Sequence, residues 1–540
     1  MSRPAKPLLI FLLAIFAVIL IRTAWVGDDV YITLRTVDNF VNGYGLRWNV
    51  AERVQSYTHP LWLLAMMPVY ALSQNAYFTA LFLAFLFTGL TLFVVARQPN
   101  CLPGLLILLM SKAFMDFSVS GLENPATHLL LALFLALFWG KTDDQPQIRF
   151  IGLVAALVAL NRLDAVLFLL PVLAYIFYQA IPLPGLVLGE TARFRRSEFG
   201  GQPDGKAPLR LILTLGSLLL GFLPLILWEL FSLLYYGFIF PNTAYAKLGT
   251  GLARLDLISQ AFVYYTDSLT RDPLTLIAIA AGLLLAVWKG GAKERLVAAG
   301  VALYLLYILS IGGDFMSGRF FTAPLLISVL LLMRLSASFS LRAKTVIAAA
   351  AVLIGFLAPN PSLLVRTDQP AFTDHDIQLG INDERAYYYQ KTGLLTVLRT
   401  DWQSFTSRGW AEHGLALRDS GRTVVNEKNV GFTGYFAGPG VFIVDTYALC
   451  DPLLARLRAQ EQEKWRIGHF DRAIPAGYLQ TLKTGENRIK DPHLAQYYDH
   501  LSLITRAPLW DLRRLAAIWA MNTGQYIYLL AAYNTAQTTP

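Results

Sequence analysis

The feature that most constrains this chain is a series of apolar runs, each long enough to cross about 30 Å of hydrocarbon, recurring from residue 8 to residue 359. Of its 540 residues 55% are hydrophobic and only 15% charged, a composition that would leave a soluble fold of this length covered in apolar surface. A polytopic α-helical membrane protein is the class that remains. Candidate spans lie near 8–26, 77–96, 102–117, 122–140, 149–163, 165–181, 211–233, 274–289, 296–311, 321–334 and 345–359, about eleven in all. Beyond Asn360 charges are frequent and no spanning run occurs, which divides the chain into a membrane domain, 1–359, and a tail domain, 360–540. Arg3 and Lys6 ahead of the first run suggest a signal peptide. The run continues to Val26, however, broken only by Arg22, and ends at Gly27-Asp28-Asp29 with no small-residue cleavage site, so it reads as an uncleaved first span.

Loop charges assign the sides. With the N-terminus inside, the inner loops hold Arg97; Lys141 and Arg149; Arg193, Arg195, Arg196, Lys206 and Arg210; Lys289, Lys293 and Arg295; and Arg334, Arg342 and Lys344. The segment from Pro60 to Ser73 is apolar but short for a crossing, and counting it as a span would move nearly all of these cations outside. It therefore reads as an interfacial or re-entrant helix, and the odd number of spans puts the tail outside. The net charge of +9 is dispersed along these loops, a positive-inside pattern that gives no reason to expect nucleic acid as a partner. Gly200 to Gly205 marks a flexible inner loop. Cys101 and Cys450 fall on opposite faces, so no disulfide joins them.

Four polar clusters fall on the outer side. They are Gly27-Asp28-Asp29-Val30-Tyr31-Ile32 with Asn42-Gly43-Tyr44-Gly45 and Ser56-Tyr57-Thr58-His59-Pro60-Leu61-Trp62; Ser120-Gly121-Leu122-Glu123-Asn124-Pro125; Tyr235-Tyr236-Gly237 with Pro241-Asn242-Thr243-Ala244-Tyr245-Ala246-Lys247; and Gly312-Gly313-Asp314-Phe315-Met316-Ser317-Gly318-Arg319-Phe320-Phe321. None has the composition of an ordinary solvated connector. The seven histidines are scattered, without metal-ligand spacing.

An acidic pair directly after the first span, followed by these motifs in this order, resembles the C-type (GT-C) polyprenyl-phosphate-dependent glycosyltransferases. Within that superfamily it is similar to the terminal arabinofuranosyltransferases of mycobacterial cell walls and to pilin arabinosyltransferases. The likeness continues in the tail through Gly380-Ile381-Asn382-Asp383-Glu384-Arg385, Val444-Asp445-Thr446-Tyr447-Ala448-Leu449-Cys450-Asp451-Pro452 and Gly468-His469-Phe470-Asp471-Arg472. The resemblance implies a GT-C fold in a bacterial plasma membrane. It also implies a polyprenyl-phosphate-linked sugar donor, with arabinofuranose as the sugar, and a glycan or protein acceptor outside the cell. No cofactor is firmly implied, and no ligand spacing supports a divalent cation.

Such a reaction needs a carboxylate near the acceptor hydroxyl and a cation near the leaving phosphate. Asp28 and Asp29 are the candidate catalytic carboxylates, and because neighbours on a helix point about 100° apart they do not share one task. Arg319, Lys247 and Arg162 are the candidate phosphate ligands. Tyr31, Tyr57, His59, Glu123, Asn242, Tyr245 and Asp314 are the remaining substrate-binding candidates. Plainer readings compete: helix caps for the acid pair and Glu123, a lipid-headgroup anchor for Arg319, an intramembrane ion pair for Arg162 with Asp164, and a turn for His59. The dense triad Asp374-His375-Asp376 reads as a solvated loop.

The tail is expected to be a mixed α/β domain, with Val441 to Asp445 a buried strand after a glycine-rich turn at Gly431 to Gly440. Trp402, Trp410, Trp465 and the Tyr387-Tyr388-Tyr389 run can stack on sugars, although large aromatics more often fill cores. Two other functions suit the pattern. One is the same chemistry on another sugar such as mannose; the other is a flippase for lipid-linked sugars, against which the absence of paired broken helices speaks.

Overall fold

The computed structural model describes residues 5–140, 145–181, 207–359, 361–364, 379–400, 409–460 and 465–538. Arg3, Lys141, Arg193, Arg195, Arg196, Lys206, the Gly200 to Gly205 stretch, the Asp374-His375-Asp376 triad and Trp402 lie outside those residues.

Leu-rich segments become helices because in hydrocarbon every backbone N–H and C=O must find its partner within the segment. Six helices are long and apolar enough to cross a membrane alone: Lys6–Thr23, Ala76–Ala96, Leu163–Ala180, Leu211–Tyr235, Ala292–Ile311 and Arg319–Ser338. Two bent pairs, Cys101–Met110 with Lys112–Ser118 and Arg254–Arg271 with Pro273–Lys289, raise the number to eight if each is one span, and they overturn the expectation that paired broken helices are absent. That is fewer than the expected eleven, because Asn124–Trp139, Gln145–Asn161 and Leu341–Phe356 are helices of only 16 or 17 residues.

Segment 102–117, expected as a single span, is instead bent by 82°. The cause is local. Ser111 leaves the helix and its side chain accepts from Phe114 N, starting a new N-terminus. Asp272, at the bend of the other pair, accepts from Ser111 Oγ (3.1 Å) and Ala113 N (2.9 Å), which locks the two elbows together.

The Pro60–Ser73 helix is tied at both ends to the Asp28–Val41 helix. His59, just before it, lies 2.7 Å from Thr33 Oγ1, and Tyr70 near its far end donates to Asp38 Oδ1 at 2.5 Å and meets Tyr435 of the tail at 2.8 Å. It returns to the end of the bundle that it left. Basic side chains gather at the opposite end, where Lys293 donates to the carbonyls of Phe138 and Gly140 and Arg334 pairs with Glu294 at 2.6 Å.

In the tail, β1 (Val424–Glu427) and β2 (Phe442–Asp445) pair in parallel, Val424 opposite Phe442. The expected turn at Gly431 to Gly440 contains the helix Phe432–Ala437, which provides the crossover between the two strands. A second core of Leu453, Leu454, Tyr478, Leu494, Leu501 and Ile504 includes Phe238 and Ala246 from the bundle loops. Arg35 fastens tail to bundle. Buried over the Trp48 ring, it donates to the carbonyls of Trp48, Gly434 and Val441.

Candidate functional site

The chain leaves the first helix at Thr23, runs extended to Gly27 and re-enters a helix at Asp28, so both acids occupy a first turn, where the helix dipole favours negative charge. They face different ways. Asp28 is buried and accepts from Gly431 N (3.0 Å) and Phe432 N (2.7 Å), capping the tail helix Phe432–Ala437. The contact is close enough that a β-carbon on Gly431 would lie 1.9 Å from the Asp28 carbonyl oxygen. Burial pushes the Asp28 carboxyl up to about 7, against the pull of the two amides. Asp29 is half-buried and its side chain makes no hydrogen bond or ion pair among the described residues. Burial raises its pKa, opposed by the charges of Arg319 and Lys247 and assisted by Asp314 and Glu123.

Glu123 is the hub beside Asp29. Its side chain caps nothing, although it stands at the N-cap of Asn124–Trp139. Its Oε1 instead takes Arg319 Nη2 at 2.9 Å and Arg162 Nη1 at 3.4 Å, and its Oε2 lies 3.8 Å from His59 Nδ1. Burial raises its pKa, but Arg319, His59 and Arg162 outweigh that and bring it down to about 2. Burial lowers His59 to about 4, so at neutral pH the imidazole is uncharged and its contact with Glu123 is a polar contact between unlike groups, not an ion pair. Arg319 also stands 3.7 Å from Asp314, and Arg162 is gripped by Asp164 at 2.6 Å, with Tyr304 donating to the same carboxylate. Exposed Lys247 lies in the last turn of the Asn242–Leu248 helix and forms no ion pair among the described residues.

Asp29, Glu123, His59, Arg162, Asp314, Arg319 and Lys247 are thus brought to one end of the bundle. Four other candidates are occupied elsewhere. Tyr31 packs under Phe432 and Tyr435; Tyr57 bonds to Tyr236 at 2.7 Å; Asn242 donates to the carbonyls of Ala448, Leu449 and Asp451; Tyr245 lies under Arg456 and Phe238. Tyr31, Asn242 and Tyr245 pack against the tail, whereas Tyr57 stays within the bundle loops. No group of three or more potential metal ligands occurs among the described residues.

An alignment of 551 positions at 25% identity with the terminal β-(1→2)-arabinofuranosyltransferase of Mycobacterium tuberculosis covers 84% of this chain and 81% of that protein. A second, of 346 residues at 28% identity, matches the enzyme of the same name from Corynebacterium glutamicum. It covers 56% of this chain and 46% of the relative, so the match spans about half of the Corynebacterium protein. The chain is related to these arabinofuranosyltransferases. No family model matches it, and no solved structure matches it significantly.

Two tail residues join the site unannounced. Asn382 exchanges backbone hydrogen bonds with Phe315 and Ser317 (2.8 and 2.9 Å), which lays Glu384 beside the Asp314 loop. Burial lifts Glu384 to about 8, opposed by Arg466 and assisted by Asp29 and Asp314. Arg466 Nη2 stands 3.7 Å from Glu384, over the Phe315 ring. Both belong to charged stretches that composition alone reads as solvated. The only available signal was their place in or next to the Gly380 to Arg385 and Gly468 to Arg472 motifs.

Proposed function

We propose that this chain is a polyprenyl-phosphate-dependent glycosyltransferase that moves arabinofuranose to a glycan or protein acceptor outside a bacterial plasma membrane. Asp29 carries the reading: it is a carboxylate left unbonded among the described residues, held beside two cations at the mouth of a membrane bundle. In this scheme the acceptor hydroxyl attacks the anomeric carbon as Asp29 takes its proton. The bond from that carbon to the phosphate oxygen breaks, and polyprenyl phosphate leaves with the electron pair.

Lys247 meets the phosphate first, since no acid among the described residues is paired with it. Arg319 is the second ligand, aimed by Glu123 and Asp314. Arg162, closed in by Glu123 and Asp164, orients Glu123 more than it reaches substrate. Glu123, His59 and Asp314 line the sugar subsite. The N-terminus is cytoplasmic, the chain crosses eleven times and the 360–540 domain is extracytoplasmic. The relatives' names support arabinose, and the gathering of basic residues at the end away from Asp29 supports this orientation.

The test is transfer of radiolabelled arabinofuranose from its polyprenyl phosphate to an arabinan acceptor by the detergent-purified chain. Transfer should require Asp29. Turnover of a mannosyl donor with none of the arabinosyl donor would refute the sugar assignment.

A further inference from the structure

A cavity of about 320 Å³ opens in the tail between β1 and the Phe432–Ala437 helix, within the range of about 300–1,000 Å³ typical of small-molecule sites. Trp410, His413, Asn426, Asn429, Thr433 and Thr446 line it. Trp410 is half-buried, held by the hydrogen bond from Thr433 Oγ1 to its carbonyl (3.2 Å), and it also walls a second cavity of about 200 Å³ that reaches Tyr388 and Phe432.

Thr446 is the decisive residue. It is 6% exposed and directly follows β2, with its backbone fixed by bonds to Glu427 O (3.1 Å) and from Arg472 N (2.9 Å). Its buried hydroxyl has no hydrogen-bond partner among the described residues. A buried hydroxyl without a partner is unfavourable and calls for something that is not protein.

Charge narrows the ligand. The acid and bases on this rim are engaged, His413 with Glu427 at 2.9 Å and Lys428 with Asp471 at 2.6 Å. A phosphate or carboxylate would have to share a cation already paired with an acid. What suits an aromatic wall with amides, hydroxyls and balanced charge is a neutral polyhydroxylated molecule. Phe432, at the start of the helix behind the groove, is held by Asp28, the immediate neighbour of Asp29.

We infer that this groove is a subsite for a neutral glycan acceptor, with Trp410 stacking on a sugar ring and Thr446 Oγ1 bonding a sugar hydroxyl. The occupant, though not the groove, rests on the transferase reading given above.

The test is calorimetric titration of the full chain in detergent, without donor, using a linear arabinofuranosyl oligosaccharide, maltopentaose and inorganic phosphate. Thr446→Val removes an unbonded hydroxyl at constant shape, so thermal stability should hold while oligosaccharide affinity drops about 2–10-fold, the size of one neutral hydrogen bond. Trp410→Ala should lower it tenfold or more. Equal binding by wild type and both variants overturns the proposal. So does binding of phosphate alone, or failure to bind an oligosaccharide that the same preparation elongates. Binding that both variants weaken, in a protein that transfers no sugar, upholds the groove and removes the transferase reading instead.

Discussion

The clearest consequence of the structure is that two adjacent aspartates should fail in different ways. Asp28→Asn leaves one acceptor oxygen where two amides, Gly431 N and Phe432 N, now find two, and turns an amide group of its own toward one of them. Leaving one buried donor unpaired costs roughly 1–3 kcal/mol. The wild-type carboxylate is itself held at a cost. Its pKa rises from 3.8 to about 7, so ionising it in place is unfavourable by something on the order of 4 kcal/mol at the high-pH limit.

A folded pKa above the unfolded one means that stability falls as pH rises through the window from about 4 to 7, a slope that asparagine lacks. Asp28→Asn should therefore be destabilising near pH 5.5 and much less so at pH 8, while transfer activity stays within about tenfold of wild type once folded protein is compared. Asp29→Asn should do the reverse. It breaks no protein hydrogen bond and should leave the melting temperature alone, while removing a general base costs about 10²–10⁴ in rate. Melts at both pH values beside single-turnover transfer of labelled arabinofuranose check both halves. A fully stable, inactive Asp28→Asn beside an active Asp29→Asn would refute the assignment.

Further outcomes follow from the same contacts. Lys247→Ala should raise the donor KM about tenfold with kcat little changed, whereas Arg319→Ala should lose stability as well, since it strips a charge partner from buried Glu123; equal donor KM values in both variants and wild type would refute the phosphate roles. Gly431→Ala forces a β-carbon against the Asp28 backbone and should cost roughly 1–3 kcal/mol with a fall in transfer rate, read by melting and kinetics. In a pH series, Asp28, Asp445 and Asp451, raised to about 7 by burial, and Glu384, raised to about 8, subtract stability as pH climbs from about 4 to 8. Glu123, drawn down to about 2 by its cations, removes stability below about pH 4, so the melting temperature should be highest near about pH 4 and fall from there toward pH 8; a steady rise to pH 8 would contradict these environments.

Much of the bundle was legible because its signals are local. An apolar run needs no partner to declare itself, since lipid demands internal hydrogen bonding wherever the run sits. The Pro60–Ser73 helix was readable as short, and loop charge argued that it does not cross. The break at Ser111 was not readable, because it depends on Asp272, 161 residues away. Candidates chosen for chemical type fared unevenly for the same reason. Asn242 and Tyr57 have the right groups for a sugar, and the tail and Tyr236 already engage them.

The acid pair shows where the division lies. By itself the sequence determined that two carboxylates stand at the end of a first span and, from helical geometry, that they point apart. Which one is free was decided by Gly431, 403 residues further on, whose missing side chain lets the tail close over Asp28 and leaves Asp29 beside Arg319 and Lys247. A side chain's direction around its helix is set within a few residues. What waits in that direction is set by the whole chain.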